Sequence, residues 1–256
     1  MPVVDFSLDG KIALVTGGSK GIGRSIALAY AEHGADVAIV ARGREALEGT
    51  CKEIEERGRR ALAVPADLGD PKGIEQVHAK VRDALGDVDV LVNNAGTGEA
   101  AGLANLSREH FDRVVELNLW AALRLAQLCY SGMQEKGDGV VINIASNDGL
   151  RPSAGVGAYG ATKAALVNLT KQMAMEWAGD GIRAVCIAPG LVRTELAGPL
   201  VDYYESQGME LNLLKRVGEP EDIAGLALLL ASRAGRFATA ETFVLDGGEL
   251  HKGHQL

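Results

Sequence analysis

The sequence has few cysteines, and those it has form no cluster. Its 256 residues include three, Cys51, Cys129 and Cys186, with no Cys-x-x-Cys pair and no grouping with histidine. An odd number of widely spaced cysteines implies neither a disulfide framework nor a zinc site. We therefore predict no bound metal, and we interpret the three thiols as buried or incidental ones of a cytoplasmic protein.

Positive charge and long apolar runs are also scarce. The 26 lysines and arginines are outnumbered by 34 aspartates and glutamates, which gives a net charge of -8. This balance argues against nucleic acid as a partner and against a polybasic membrane patch, so a phosphate ligand would need local basic residues. The most apolar stretch, residues 224–231, is too short to span a bilayer. The N-terminus contains acids and no long apolar run, unlike a signal peptide.

What is present is a globular composition, with 47% apolar and 23% charged residues. No repeat, linker or low-complexity tract interrupts the chain, so we predict one large α/β domain over residues 1–256. Short apolar runs alternate with helical patterns, which predicts a parallel sheet covered by helices on both faces. The predicted strands cover residues 12–15, 36–41, 61–64, 88–92, 140–145, 183–188 and 242–245. The predicted helices cover residues 24–33, 45–57, 72–85, 107–134, 158–177 and 220–232.

Ligands of such sheets bind beyond the carboxyl ends of the strands. Four polar or glycine-rich segments follow predicted strands there: residues 16–23, 67–68, 93–96 and Ser146. We therefore expect one crevice to collect them.

The first of these segments, Thr-Gly-Gly-Ser-Lys-Gly-Ile-Gly, lies between a strand and a helix. Glycine lets backbone amides approach a ligand, and the following helix N-terminus favours an anion, so the segment suits a pyrophosphate. The spacing is GxxxGxG and differs from the commoner GxGxxG, so it matches that fingerprint only in mechanism. A purely structural glycine turn is the alternative.

Basic residues near the end of the second strand bear on the choice of cofactor. Dinucleotide folds recognise the adenosine ribose there, and an acid would repel a 2′-phosphate. This chain has Ala41 and then Arg42, with Lys20 in the glycine segment and Arg44 nearby. These charges favour NADP(H) over NAD(H); the alternative is that they are solvated surface charges.

Tyr159 and Lys163 lie four residues apart in a predicted helix and so share a face. Lowering a tyrosine pKa from about 10 to about 7 needs about 4 kcal/mol. A lysine at about 4 Å could supply roughly that much. Such a pair also arises by chance, so its meaning depends on its surroundings.

Two polar residues and one apolar segment complete the candidates. Asn118 lies within an apolar run of the long predicted helix, for which Ser107 is the candidate N-cap, and is either a satisfied core group or a functional one. Ser146 follows a strand and precedes Tyr159 by thirteen residues. The segment 195–216 breaks the alternation with many large apolar residues, and we predict that it is a lid over the substrate; an oligomer contact is the alternative.

Six motifs in this order resemble the short-chain dehydrogenase/reductase family: the glycine segment, NNAG at 93–96, Asn118, Ser146, YGATK at 159–163 and PGLVRT at 189–194. The resemblance covers about residues 10–248. It implies an α/β fold, a Rossmann-like doubly wound sheet of about seven parallel strands flanked by helices on both faces. It also implies hydride transfer between a nicotinamide and a carbonyl or alcohol.

The resemblance assigns roles residue by residue. Tyr159 would be the acid/base, and Ser146 would hydrogen-bond the substrate oxygen. Lys163 would bind the nicotinamide ribose and lower the Tyr159 pKa, and Asn118 would support a water that exchanges protons with Lys163. The implied NADP(H) contacts are Gly17, Ser19, Lys20, Gly21, Ile22, Gly23, Arg42, Asp67, Leu68, Asn94, Ala95, Gly96, Tyr159, Lys163, Pro189, Gly190, Val192 and Thr194. The expected substrate pocket comprises Gly98, Ser146, Asp148, Val156, Tyr159 and Leu196.

The sequence thus predicts an oxidoreductase that acts with NADP(H) on a small-molecule carbonyl or alcohol. A 3-oxoacyl thioester (acyl-carrier-protein) reductase is an alternative, but acids within 135–138 and 179–181 would oppose an acidic carrier. A non-catalytic NADPH-binding regulatory protein on the same fold is a second alternative, and dehydration or epimerisation a third. Family resemblance further implies a homotetramer or homodimer, paired through the long helix and the Tyr159 helix.

Overall fold

A computed structural model describes residues 3–252. Its described part contains one parallel sheet of seven strands in the order β3-β2-β1-β4-β5-β6-β7. The strands are β1 Ile12–Thr16, β2 Asp36–Ala41, β3 Ala61–Pro65, β4 Val90–Asn93, β5 Gly139–Ile144, β6 Ile182–Pro189 and β7 Thr242–Leu245. The helices are α1 Gly21–Glu32, α2 Arg44–Glu55, α3 Pro71–Ala84, α4 Arg108–Val115, α5 Ala121–Lys136, α6 Gly157–Trp177, α7 Gly198–Ser206 and α8 Pro220–Ala231. The predicted fold class is confirmed.

The strands are buried on both faces because successive side chains enter two different cores. Val15 packs with residues of α1, α2 and α8, whereas its neighbour Leu14 packs with residues of α3, α5 and α6. Apolar residues are therefore required at every strand position, which explains the continuous apolar runs in the sequence. Tyr30 crosses between two helices on the first face, where its hydroxyl donates to the Ala227 carbonyl at 3.0 Å.

The strand order reverses between β1 and β4, and this reversal opens the crevice. The chain runs outward from β1 through β2 to β3 and then returns to pair β4 with the other side of β1. Helices leave these two strands on opposite faces, so the space beyond their carboxyl ends is not filled by a connection. The glycine turn and the segment after β4 meet at this point.

Two boundaries differ from the prediction for identifiable reasons. Helix α1 begins at Gly21 and not at Arg24, because the Arg24 N–H already donates to the Lys20 carbonyl at 3.3 Å and so closes the first turn. Strand β4 begins at Val90 and not at residue 88. The Asp89 carboxylate accepts hydrogen bonds from the Ile12 N–H at 2.8 Å and from Lys136 at 2.9 Å. Asp89 therefore connects the start of β4 to the start of β1 and the end of α5.

The long predicted helix is interrupted by a π-helical turn at Glu116–Trp120, between α4 and α5. Ser107 is the N-cap as predicted, since its hydroxyl accepts from the His110 N–H at 3.1 Å. The single wide turn rotates the register of the residues that follow, and such turns are common at functional sites. Asn118 lies at the centre of this one and is fully buried.

The described residues lack two further features. They contain no helix long and apolar enough to cross a bilayer. They also hold no group of three or more histidine, cysteine or acidic side chains arranged to bind a metal. All three cysteines are free thiols and buried.

Candidate active site

The glycine turn between β1 and α1 has the close backbone contacts that its sequence predicts. Gly17 has a φ of +68°, and a Cβ on Gly23 would lie 2.4 Å from the Gly17 carbonyl oxygen. Any side chain at Gly23 would therefore push the turn open. Lys20, the N-cap of α1, makes no side-chain cap, and the first turn carries no acid. The N–H groups of α1 thus keep their capacity to bind an anion.

Hydrogen bonds of Thr16, here called the Thr16 bracket, hold this turn against the segment after β4, and no pattern in the sequence predicted them. The Thr16 hydroxyl accepts from the N–H groups of Asn94 and Ala95, each at 2.9 Å. In return, the Asn94 side-chain amide donates to the Thr16 carbonyl at 2.9 Å and faces the Gly17 carbonyl at 3.4 Å. The Asn94 side chain therefore fixes the shape of the turn, and its expected place beside a ribose stays a prediction.

Helix α6 carries Tyr159 and Lys163 on one face, as predicted. The Lys163 Nζ lies 5.6 Å from the centroid of the Tyr159 ring and donates to the Ile144 carbonyl at 2.7 Å. The 3₁₀ turn Asn147–Gly149 follows β5 and places Ser146 beside Tyr159. The Ser146 hydroxyl accepts from the Asp148 N–H at 3.1 Å, which fixes its orientation.

The predicted lowering of the Tyr159 pKa is wrong for the protein alone. Burial raises the pKa of Tyr159 to about 12; the Ser146 hydroxyl partly offsets this rise, and the Asp148 carboxylate adds to it. Lys163 is not among the groups that shift this pKa, and burial lowers the pKa of its own ammonium to about 8. The short bond to Ile144 holds this ammonium toward the backbone of β5. Desolvation, which spacing along a helix cannot reveal, outweighs the attraction between the two side chains.

Both polar atoms of the Asn118 side chain have hydrogen-bond partners inside the protein. Its Oδ1 accepts from the Thr97 N–H at 2.8 Å, and its Nδ2 donates to the Thr97 carbonyl at 2.9 Å and to the Thr162 hydroxyl at 3.2 Å. These bonds attach the segment after β4 to α6. A Cβ on Gly96 would lie 3.2 Å from Asn118 Oδ1 and 3.5 Å from Lys163 Nζ, so the three residues enclose one small space. The predicted role of Asn118 in supporting a water stays a prediction.

Glycine at 149 lets the Ser146 turn pack directly on α6. A Cβ on Gly149 would lie 2.8 Å from the Lys163 carbonyl carbon and 2.9 Å from the Ala164 nitrogen. On the facing side, a Cβ on Gly160 would lie 3.0 Å from the Asp148 carbonyl oxygen. Two glycines therefore set the distance between the elements that carry Ser146 and Tyr159.

The residues expected to line the substrate pocket are only partly brought together. A Cβ on Gly98 would contact the Tyr159 ring at 3.8 Å, and the Asp148 charge acts on the Tyr159 phenol. Val156 pairs with Ala101 just before α6. Leu196, in contrast, is 63% exposed. In this structure its side chain lies mostly in solvent and does not close a pocket.

The cofactor contacts expected on the adenosine side lie around the crevice. Arg42 follows β2 and is exposed, as is Asp67, which turns its carboxylate onto the Gly69 N–H at 2.9 Å. Leu68 is buried in the core, so its backbone and not its side chain is available to a ligand. Lys20 forms an exposed ion pair with Glu195 at 2.5 Å, a partner that the sequence did not suggest.

The turn after β6 reaches back to the glycine turn. Gly190 donates to the Leu245 carbonyl at 3.0 Å, Val192 is buried, and Thr194 lies close enough that its Cγ2 would be 3.1 Å from a Cβ on Gly21. The other predicted contacts belong to these same two turns. Ser19 and Ile22 lie in the glycine turn and at the start of α1, and Pro189 ends β6.

The segment 195–216 is folded, and its predicted role as a lid stays a prediction. It contains α7, yet six of the apolar side chains that suggested a lid are about half exposed or more: Leu196, Leu200, Tyr203, Met209, Leu213 and Leu214. A cleft of about 220 Å³ separates the end of the segment from the turn after β6, the end of β7 and the start of α8. The apolar surface of the lid is therefore available to a ligand or to another protein chain.

Comparisons with known proteins agree with this geometry. Residues 11–204 match the family model for the short chain dehydrogenase. The chain is 36% identical over 239 residues to the 3-oxoacyl-[acyl-carrier-protein] reductase FabG of Staphylococcus epidermidis, covering 93% of this chain and 98% of the relative. It is also 36% identical over 253 residues to the sorbitol dehydrogenase of Cereibacter sphaeroides, covering 94% and 98%.

A solved structure is similar over nearly its full length. The L-sorbose reductase of Gluconobacter frateurii, complexed with NADPH and L-sorbose, has a TM-score of 0.92 and 34% identity, covering 97% of this chain and 100% of that one. Fold, motif order and full-length similarity thus agree. The chain belongs to the short-chain dehydrogenase/reductase family of oxidoreductases.

Proposed function

We propose that this protein transfers a hydride between NADP(H) and a small-molecule carbonyl or alcohol, with Tyr159 as the acid/base. The observation that carries this proposal is the convergence of Tyr159, Ser146, Lys163 and Asn118 beside an uncapped helix N-terminus at one end of the sheet. Family membership supports the reaction class. The NADPH-bound relative supports the cofactor.

The described residues fit a dinucleotide phosphate. Gly17 and Gly23 leave no room for side chains that would cover the N–H groups of α1, so these amides can hold the pyrophosphate. Arg42 is exposed where a 2′-phosphate would bind and would pair with it. A bound nicotinamide supplies the hydride that reduces the carbonyl carbon, and accepts it in the reverse direction.

The chain's own residues would manage the proton. At neutral pH the raised pKa of Tyr159 keeps the phenol protonated, which is the form that a reduction requires. Its proton passes to the carbonyl oxygen as the alkoxide develops, and the Ser146 hydroxyl donates a hydrogen bond to the same oxygen. Lys163 lies 5.6 Å from the tyrosine ring, where it can hold the ribose and act on the phenolate that remains.

The first experiment is an assay of NADPH and NADH consumption with ketones, diketones and keto-sugars. Tyr159→Phe is expected to lower turnover roughly 10²- to 10⁴-fold, because it removes the proton donor, while NADPH binding measured by calorimetry is unchanged. Tyr130→Phe is the matched control and should keep its turnover, since the Tyr130 hydroxyl bonds Asp180 at 2.6 Å on another surface. Near-normal turnover of the Tyr159 variant would refute the assignment.

An acyl-carrier-protein reductase is the second candidate, favoured by the similarity to FabG. One of the acids that argue against it lies at the surface: the Asp138 side chain is 71% exposed although Lys11 pairs with it at 2.7 Å. A 3-oxoacyl thioester in the same substrate panel tests this candidate. Preference for the thioester over every free ketone would support it. NADPH binding without any carbonyl reduction would favour the non-catalytic alternative.

A further inference from the structure

The three basic residues that the sequence places near the cofactor differ in the carboxylates that they contact. In the part of the chain that the structure describes, Arg42 is exposed and forms no ion pair. Arg44 pairs with Glu48 at 3.6 Å, one turn further along the same helix. Lys20 pairs with Glu195 at 2.5 Å. Of the three, Lys20 is therefore the one held by an acid from a distant part of the chain.

Glu195 is brought to the glycine turn by the residue before it. The Thr194 Cγ2 atom would lie 3.1 Å from a Cβ on Gly21, and the Thr194 hydroxyl accepts from the Ala197 N–H at 3.2 Å. These two contacts place the backbone around Glu195 beside the first residue of α1. The ion pair therefore joins the turn that would hold the pyrophosphate to the start of the segment 195–216.

A carboxylate at this point opposes a phosphate ligand, because it neutralises the cation that the phosphate would use. Both side chains are largely exposed, 61% for Lys20 and 73% for Glu195, so the pair can open without a change in the backbone. A phosphate carries more charge and more acceptor oxygens than a carboxylate, and is the stronger partner. On the basis of the proposed function, we propose that Glu195 competes with the 2′-phosphate of NADP(H) for Lys20. NAD(H) has no such phosphate, so Glu195 narrows the preference for NADP(H).

This competition couples cofactor binding to the start of the segment 195–216. Linkage is reciprocal, so NADP(H) must weaken the ion pair by the same factor by which the ion pair weakens NADP(H) binding. The segment stays attached when the pair opens, because Arg193 bonds Glu205 of α7 at 2.6 Å and Glu219, the N-cap of α8, at 3.1 Å. Removal of the Glu195 charge therefore tests the competition in a folded protein.

The test measures the Kd of NADPH and of NADH by calorimetry for wild-type protein and Glu195→Gln. We expect the ratio of the NADH Kd to the NADPH Kd to rise about two- to fivefold in the variant, since an ion pair between exposed side chains is weak. The rise should shrink in 0.5 M NaCl, which screens the pair. Glu210→Gln is the matched control: it removes the same charge from the same segment, but Glu210 pairs with Lys215 at 3.1 Å, so the ratio should not change.

A second background separates competition from simple repulsion. In Lys20→Met protein, Glu195→Gln should leave the ratio unchanged, because the cation for which the two anions compete is absent. An equal rise in that background would show that Glu195 repels the cofactor directly, and would overturn the inference. An unchanged ratio in Glu195→Gln would also overturn it, while NADPH binding by the wild type would leave the proposed function intact. No NADPH binding by the wild type would overturn both.

Discussion

Lys163 holds its ammonium group in surroundings that oppose its charge. It is almost completely buried, and its one hydrogen bond within the described residues goes to the Ile144 carbonyl. Burial lowers the pKa of Lys163 to about 8, while the nearby Cys186 thiol, itself shifted upward to a pKa of about 11 by burial, has a small opposite effect. The chain therefore keeps a destabilising charge where a cofactor would use it.

This charge predicts how stability depends on pH. The folded-state pKa of Lys163 lies below the unfolded value, so the cost is complete below pH 8 and disappears as the pH rises toward 10.5. Between pH 7 and 9.5, wild-type protein should gain about 2 kcal/mol of unfolding free energy relative to Lys163→Met, because the variant has no such proton to lose. Urea unfolding of both proteins at the two pH values measures this difference.

Tyr159→Phe is the control for that experiment, because the Tyr159 phenol is neutral in the folded protein and, with an unfolded-state pKa of 10.0, still mostly neutral in the unfolded chain at pH 9.5. It should follow the wild-type pH dependence. Parallel curves for wild type and Lys163→Met would show that Lys163 does not lose its proton on folding, and would contradict the prediction.

At the residue scale, the sequence allowed the candidate site residues to be identified, but not the direction of their pKa shifts. Tyr159 and Lys163 could be paired because a helix fixes their spacing, and Ser146 could be placed because a strand ends before it. The direction of the Tyr159 pKa shift could not be predicted, since it depends on burial by distant segments.

Among the elements, the contact between the Asn147–Gly149 turn and α6 sets the relative position of Ser146 and Tyr159. The backbone of Gly149 lies against the backbone of Lys163 and Ala164, and neither partner can rotate away as a side chain could. The spacing between Ser146 and Tyr159 therefore depends on the absence of a Cβ at Gly149.

Gly149→Ala should displace this turn. A Cβ within 2.8 Å of backbone atoms cannot be accommodated without movement. We expect a loss of about 1–3 kcal/mol in unfolding free energy, as in overpacked cores. Turnover should fall at least about tenfold, because small misplacements of catalytic groups are costly. Chemical denaturation and steady-state assays check the two effects.

Gly225→Ala is the matched control. Gly225 lies in α8, and a Cβ there would meet no atom within 4 Å. This variant should be as active as wild type and gain up to about 1 kcal/mol from improved helix propensity. If Gly149→Ala behaves like Gly225→Ala, the close contact does not control the site.

Most elements could be located from the sequence because the sheet is parallel and buried, which makes each strand a continuous apolar run. The π-helical turn at Glu116–Trp120 could not, because one additional residue in a turn does not change the composition of a helix. Its effect is large nevertheless, since it directs Asn118 between Thr97 and Thr162.

At the scale of the whole molecule, the small residues of α5 and α6 lie in two different surroundings. Ala121, Ala122 and Ala126 are buried against the sheet within one chain. Ala164 on α6 is exposed instead, and so are two larger apolar side chains: Met175, also on α6, is 77% exposed, and Trp120, in the π-helical turn, is 40% exposed. Apolar exposure on these helices is consistent with the predicted pairing, which stays a prediction.

Met175→Glu tests that pairing. If α5 and α6 form the contact between subunits, wild-type protein should sediment as a dimer or tetramer. The dissociation constant of the variant oligomer should be at least about tenfold higher, because the new carboxylate would lose its water in the contact. Val4→Glu, which adds the same charge at another exposed apolar position, should not change the sedimentation coefficient. A monomeric wild type, or equal effects of both variants, would contradict the prediction.

The Thr16 bracket has a consequence for the order in which the molecule can be completed during synthesis. All the glycines of the turn emerge early, but Thr16 bonds Asn94 and Ala95, which follow it by 78 and 79 positions. A nascent chain whose β4 has not yet left the ribosome contains every residue of the glycine turn. It still lacks Asn94 and Ala95, which hold the turn in shape. Cofactor could then assist folding only after about a third of the protein has left the ribosome.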